Sequence, residues 1–169
     1  MTALVEALPM IRHAVPDARL VLPGRPTAHE EELRAVAAAR GVRDAVDFPS
    51  FVSPEDLEGL YEAAACFAFP SFVEGFGLPI LEAMRRGLPV ACASASAPAE
   101  VAGEAALFFD PNRPQEAADA VVTLLRDPKR AEELAARGRG RAAEYSWRRT
   151  AERTLESWDR ALSSGGPGA

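Results

Sequence analysis

Two carboxylates and two glycines stand close together in Pro70-Ser71-Phe72-Val73-Glu74-Gly75-Phe76-Gly77-Leu78-Pro79-Ile80-Leu81-Glu82. The segment leaves an apolar run and enters an amphipathic one, so it reads as a loop joining a strand to a helix. Gly75 and Gly77 let the backbone take φ > 0 and come close to a ligand. Pro79 has no N–H and suits the first turn of a helix. The N–H groups near Gly77, Leu78 and Ile80 are then expected to point out of the helix start. With the helix dipole they form an anion site, and phosphate is the natural guest. Glu74 and Glu82 flank the turn at a spacing of eight. A carboxylate accepts well from paired hydroxyls, as on a ribose or hexose ring. An anion site between two such acids suits a sugar nucleotide: sugar, diphosphate, ribose. Plainer readings stand beside this one. Gly-Phe-Gly can be only a tight turn, and Glu74 a solvated loop acid. Glu82 can pair with Arg86 one turn on, a contact worth ~0.3–0.5 kcal/mol.

The rest of the composition narrows the field. The chain has 169 residues, 48% hydrophobic and 26% charged, enough for one ordinary domain with a full core. A net charge of −6 argues against nucleic acid as the main partner. No apolar run reaches the ~18 residues of a membrane span. Residues 1–20 do not read as a signal peptide, because Glu6 comes early and Pro9, Arg12 and His13 interrupt the apolar stretch. Cys66 and Cys92 lie in apolar surroundings and read as buried thiols, neither a disulfide framework nor a metal site. His13 and His29 are not spaced for a metal, so no metal and no cofactor are expected. Of the 19 basic residues, Lys129 is the only lysine.

The elements that must position the two acids follow from periodicity and punctuation. Ala3, Leu4, Ala7, Leu8 and Ile11 repeat at helical spacing; residues 19–22 form an apolar run ended by Pro23-Gly24. A helix is expected over 27–40 with Gly41 as its stop, then a strand at 45–48. Ser53 is a candidate N-cap for a helix that Pro54, Glu55 and Asp56 open and that runs to about residue 64. Residues 66–70 are apolar throughout, as in a buried strand. Helix 78–86 follows, closed by Gly87, then strand 88–93, a short helix at 97–102, and a last strand at 106–109. Helices at 114–126, 129–144 and 147–162 complete the chain, with a flexible Gly- and Ser-rich tail at 163–169. Strands alternating with helices about five times predict an α/β fold, a parallel sheet with helices on both faces. Ligands of such sheets bind beyond the carboxyl ends of the strands, where the 70–82 segment falls.

The segment from Glu74 through Gly-Phe-Gly-Leu-Pro-Ile-Leu to Glu82-Ala-Met resembles the Glu-x7-Glu signature of group 1 retaining GT-B glycosyltransferases. Further blocks resemble the same family, in family order: Phe48-Pro-Ser-Phe-Val-Ser-Pro-Glu-Asp-Leu, Gly87-Leu-Pro-Val-Ala, the stretch from Pro98 to Pro111, and Tyr145-Ser-Trp147. The resemblance implies a Rossmann-like domain over 1–162, the C-terminal, donor-binding half of a GT-B fold. It implies Glu74 at the catalytic site against the transferred sugar. Backbone N–H groups of Gly75, Phe76, Gly77 and Leu78 would hold the diphosphate and sugar, and Glu82 the ribose hydroxyls. Phe51 and Val52 would border the base, with Ser94 and Glu100 on a loop lining the same cleft. Here the sequence reads Ala97-Pro-Ala-Glu100, where the family more often has Pro directly before Glu.

The implied reaction moves a sugar, of hexosyl type, from a nucleotide diphosphate to an acceptor hydroxyl with retention, in the cytoplasm or peripherally at the inner membrane. The donor would be the substrate; the acceptor is unknown. The family opens this half with a strand ending in Gly-Arg and an Arg-Lys pair that clamps the donor phosphates, and the chain starts just after that point. The first strand, the pair and the acceptor-binding N-terminal half are thus expected to lie outside these residues. Three readings follow: a fragment of a transferase, one half of a split enzyme, or a non-catalytic module that binds a nucleotide or a partner chain. A fourth, a GT-B-shaped epimerase, fits the two acids less well.

Overall fold

The structure, a computed structural model, describes residues 1–95 and 97–163. Eight α-helices and five short strands alternate among these residues: α1 Thr2–Ala14, β1 Leu20–Val21, α2 Ala28–Ala39, β2 Val46–Asp47, α3 Pro54–Ala63, β3 Phe67–Phe69, α4 Leu78–Arg85, β4 Val90–Ala93, α5 Ala97–Ala102, β5 Ala106–Phe109, α6 Pro114–Arg126, α7 Pro128–Ala143 and α8 Trp147–Ser163. The α/β class and each expected element are present. Ser163 ends α8, and the remainder of the expected tail, 164–169, lies outside the described residues.

All pairings are parallel. They fall into two sheets, β1-β2 and β3-β4-β5, with Leu20 opposite Val46, Phe67 opposite Val90 and Val90 opposite Ala106. Their common support is α1. Leu4, Ala7 and Ile11 pack with Ala117, Val121 and Leu124 of α6, together with Leu20, Cys66 and Ala68. From the same helix, Val5 and Leu8 pack with Leu33, Ala37 and Val46. Both β1 and β3 therefore rest on α1, yet no strand pairing joins them among the described residues. Each keeps an unpaired edge.

The central strand is β4, and all four of its residues are fully buried. It alternates between faces: Val90 and Cys92 join Ile80, Met84 and Val101 of one layer, while Ala91 joins Phe109 and Ala117 of the other. Local signals explain the helix ends. The Ser53 hydroxyl accepts the Asp56 N–H at 3.0 Å, and the Asp127 carboxylate accepts the Arg130 N–H at 2.9 Å. The last helix is the exception to packing. None of its residues is buried, and Trp147 and Leu162 are 80% and 82% exposed.

Candidate functional site

The Glu74–Glu82 segment joins the carboxyl end of β3 to α4, as its pattern predicts. Gly77 is the turning point. It caps α4 with φ 96 and ψ 43, a left-handed conformation that favours glycine. A Cβ placed there would lie 3.5 Å from Ile80 Cδ1 and 3.8 Å from Pro98, ordinary contacts, so the torsion rather than space selects glycine. The Ile80 N–H, expected to point outward, does not; it donates to the Gly77 carbonyl at 3.0 Å, tightening the first turn. The unclaimed N–H groups lie earlier in the chain. Among the described residues no acceptor takes the N–H groups of Gly75, Phe76, Gly77 and Leu78. Four donors at one helix start form a cradle for an anion.

An aromatic contact ties this segment to the residues after α7. The Phe76 ring meets the Tyr145 ring edge-on, centroids 5.7 Å apart. Tyr145 lies beneath the Arg141 guanidinium, 5.1 Å from its ring centroid. Arg141 in turn donates to the carbonyls of Val101 at 3.0 Å and Glu100 at 2.9 Å, satisfying the end of α5. The aromatic of the Tyr-Ser-Trp block thus touches the 70–82 segment through Phe76.

The two acids sit differently. Glu74 is half-buried, and Ser71 Oγ donates to its Oε1 at 3.0 Å. Ser71 is three residues upstream, a spacing at which a loop serine reaches a carboxylate, but the sequence pattern does not single it out. Glu82 is exposed, one turn into α4. It does not pair with Arg86. The Arg86 guanidinium turns to the Glu58 carboxylate of α3 at 2.9 Å and reaches Glu82 only through its backbone carbonyl, at 2.9 Å. Glu58 is held below the ordinary carboxylate range by those hydrogen bonds. Glu82 instead receives the Tyr61 hydroxyl on Oε2 at 3.2 Å. Burial, then the nearby Glu82 charge, pushes the Tyr61 phenol up to about 12.

Phe51 and Val52 follow β2, and Ser94 follows β4, at the carboxyl ends of their strands. No hydrogen bond or ring contact among the described residues links them to the cradle. Ser94 donates its N–H to the Phe109 carbonyl at 2.9 Å, and Phe51 is 77% exposed. The Glu100 side chain is exposed. Around the cradle Phe72, Val73, Phe76 and Leu78 are also exposed. A shallow cavity of about 470 Å³ lined by Glu104, Arg137, Arg141 and Glu144 shares no residue with the 70–82 segment. The cradle is accordingly an open face.

Residues 1–141 match the family described as glycosyl transferases group 1. The chain belongs to that family. Among curated relatives, the O-antigen chain mannosyltransferase B of Escherichia coli is 38% identical over 130 residues, covering 76% of this chain and 34% of the relative. The chain therefore matches about a third of the length of that relative, and 17% of the serotype-specific mannosyltransferase WbdA of Escherichia coli, to which it is 34% identical over 135 residues, 79% of this chain. Among solved structures, Anabaena HepE in complex with UDP-glucose superposes with a TM-score of 0.80 at 25% identity, over 96% of this chain and 44% of HepE. The C-terminal domain of the group 1 protein LpcC from Francisella tularensis superposes with a TM-score of 0.75 at 25% identity, over 85% of this chain and 77% of that one.

Proposed function

We propose that residues 1–162 form the donor-binding domain of a retaining glycosyltransferase that takes a nucleotide-diphosphate sugar. One observation carries this reading: four unclaimed N–H groups at the α4 start lie between two carboxylates, and Arg86 is drawn away from the second. The diphosphate sits on the N–H groups of Gly75, Phe76, Gly77 and Leu78. Glu82 accepts from the ribose hydroxyls, Glu74 faces the transferred sugar, and Phe51, Val52 and Ser94 line the base and cleft. The bond from the anomeric carbon to the diphosphate oxygen breaks, with its electron pair leaving on that oxygen, as one to the acceptor oxygen forms on the same face and the acceptor hydroxyl's proton passes to the departing diphosphate. Charge then builds on the departing diphosphate, where preoriented N–H groups and the helix dipole stabilise it. The UDP-glucose bound by HepE supports this choice of donor class.

The exposed apolar residues around the cradle favour a second body covering it. We take this to be an acceptor-binding half, on the same or a separate polypeptide, with the transfer taking place in the cytoplasm where nucleotide sugars are made. The chain by itself then binds donor weakly, with Kd near ~1 mM, about −4 kcal/mol, and transfers nothing measurable. Isothermal titration with UDP and GDP tests the reading. Binding that Glu82→Ala weakens about tenfold supports it; no binding of either nucleotide, or binding indifferent to Glu82→Ala, overturns it.

A further inference from the structure

Tyr61 carries no signal in the sequence beyond an apolar position on α3, yet it is the side chain that meets Glu82. Its residue is 8% exposed and belongs to the core cluster with Phe69, Ile80 and Leu81. Phe67 packs against its ring with centroids 6.0 Å apart. Only the hydroxyl reaches outward, to Glu82 Oε2 at 3.2 Å. Over the ring stands Arg86, 4.5 Å from the centroid, itself held by Glu58. The arrangement has a consequence for Glu82. A glutamate on an exposed helix surface samples many rotamers, and its natural partner four residues on would be Arg86. Here that partner is committed to α3 and to the Glu82 carbonyl, and a buried phenol supplies the only side-chain donor to Glu82 among the described residues.

We propose that Tyr61 is a positioning residue: it orients the Glu82 carboxylate so that the oxygen it does not hold faces the paired hydroxyls of the donor's ribose. This rests on the reading of Glu82 as the ribose acceptor. The bond is long for a hydroxyl and a carboxylate, so it guides the side chain and leaves Oε1 free to accept. A phenol suits the task because it stays a donor through the physiological range and is anchored by its own ring. A lysine or arginine at the same place would neutralise the acid and compete with the sugar for it.

The test compares nucleotides with and without the diol. Affinities of the chain are measured for UDP and GDP and for their 2′,3′-dideoxy analogues, in wild type, Tyr61→Phe and Glu82→Gln. Wild type is expected to favour the better-bound ribonucleotide over its dideoxy form about tenfold. Tyr61→Phe, which keeps the ring and its packing, is expected to cut that ratio to about threefold while leaving dideoxy binding unchanged. In the Glu82→Gln background, adding Tyr61→Phe is expected to change the ratio no further. A purely structural tyrosine would weaken both nucleotides alike, and an unchanged ratio in Tyr61→Phe overturns the proposal while leaving the donor site standing. If the wild-type chain binds neither ribonucleotide, the reading of the site falls and this proposal with it. A nucleotide-free readout separates the contact from the ligand. In a Tyr145→Phe background the single remaining phenol, pushed up to about 12 by burial and by the Glu82 charge, is expected to titrate lower in Glu82→Gln while burial keeps it above its ordinary value; no movement would overturn the contact itself.

Discussion

Gly77 holds a backbone conformation, φ 96, that costs a residue bearing a Cβ about 1–2 kcal/mol. Because a Cβ there meets no clash, Gly77→Ala is expected to lose about that much stability in urea unfolding, with nucleotide affinity falling further as the cradle reshapes. Equal loss in a surface Gly59→Ala control would contradict a special torsion at Gly77. The role of Gly77 is legible in the sequence because a glycine two residues before a helix-opening Pro79 falls where the chain must turn into the helix. So are Glu74 and Glu82, whose spacing fixes them on either side of that turn. The fate of Arg86 is not, because a local i,i+4 partner is visible in sequence and a competitor on another helix, Glu58, is not. Titration at this scale also has a sign. Burial pushes Cys66 up to about 11 and Cys92 up to about 12 from 9.0, and Tyr61 up to about 12 from 10.0. All three are neutral when folded at a pH where the unfolded chain ionises them. Their stability is fully present below about pH 9 and is lost as pH rises toward 12. Urea midpoints from pH 8 to pH 11 should stay level and then fall, and Cys92→Ala should reduce the fall. A midpoint that rises above pH 9 would contradict the burial of these groups.

Among the elements, α7 and α8 make a contrast that mutagenesis can read. Leu134 of α7 is fully buried in the cluster that holds Ala7 and Phe109, so Leu134→Ala should cost about 2–5 kcal/mol. Nothing in α8 is buried, so removing residues 147–169 should leave the unfolding midpoint of the chain within about 2 °C while lowering helical circular dichroism. A large drop would mean that α8 packs on the domain in solution. Both helices are visible from periodicity, but exposure is not: Trp147, Leu155, Trp158 and Leu162 form an apolar stripe that sequence alone would assign to the core. Strand positions are legible because each is a short apolar run between punctuating residues. Their division into two sheets is not, since pairing depends on which neighbours are at hand. Residues 66–70 read as a buried strand and Cys66 as a buried thiol, yet Cys66, Phe67 and Ala68 each keep part of their surface exposed, the Cys66 thiol being the enclosed part of its residue, while β4 beside them is sealed. Amide exchange should accordingly be slowest in Val90, Ala91 and Cys92 and faster along the unpaired edges of β1 and β3.

For the molecule as a whole, one face is responsible for the proposed function: the carboxyl ends of the strands, with the α4 start at its centre. The fold and family are shared with proteins about three times as long as the matched region, and the second body we propose would cover this open face. A titration of the isotopically labelled chain with UDP and GDP, followed residue by residue through its backbone amide resonances, reaches that face most directly. Saturable shifts are expected to concentrate at Gly75, Phe76, Gly77 and Leu78, to extend to Glu82, Phe51, Val52 and Ser94, and to vanish at the cradle in Gly77→Ala. Shifts centred instead on the Arg137 and Arg141 cavity, or no saturable shift with either nucleotide, would contradict a donor site at the start of α4.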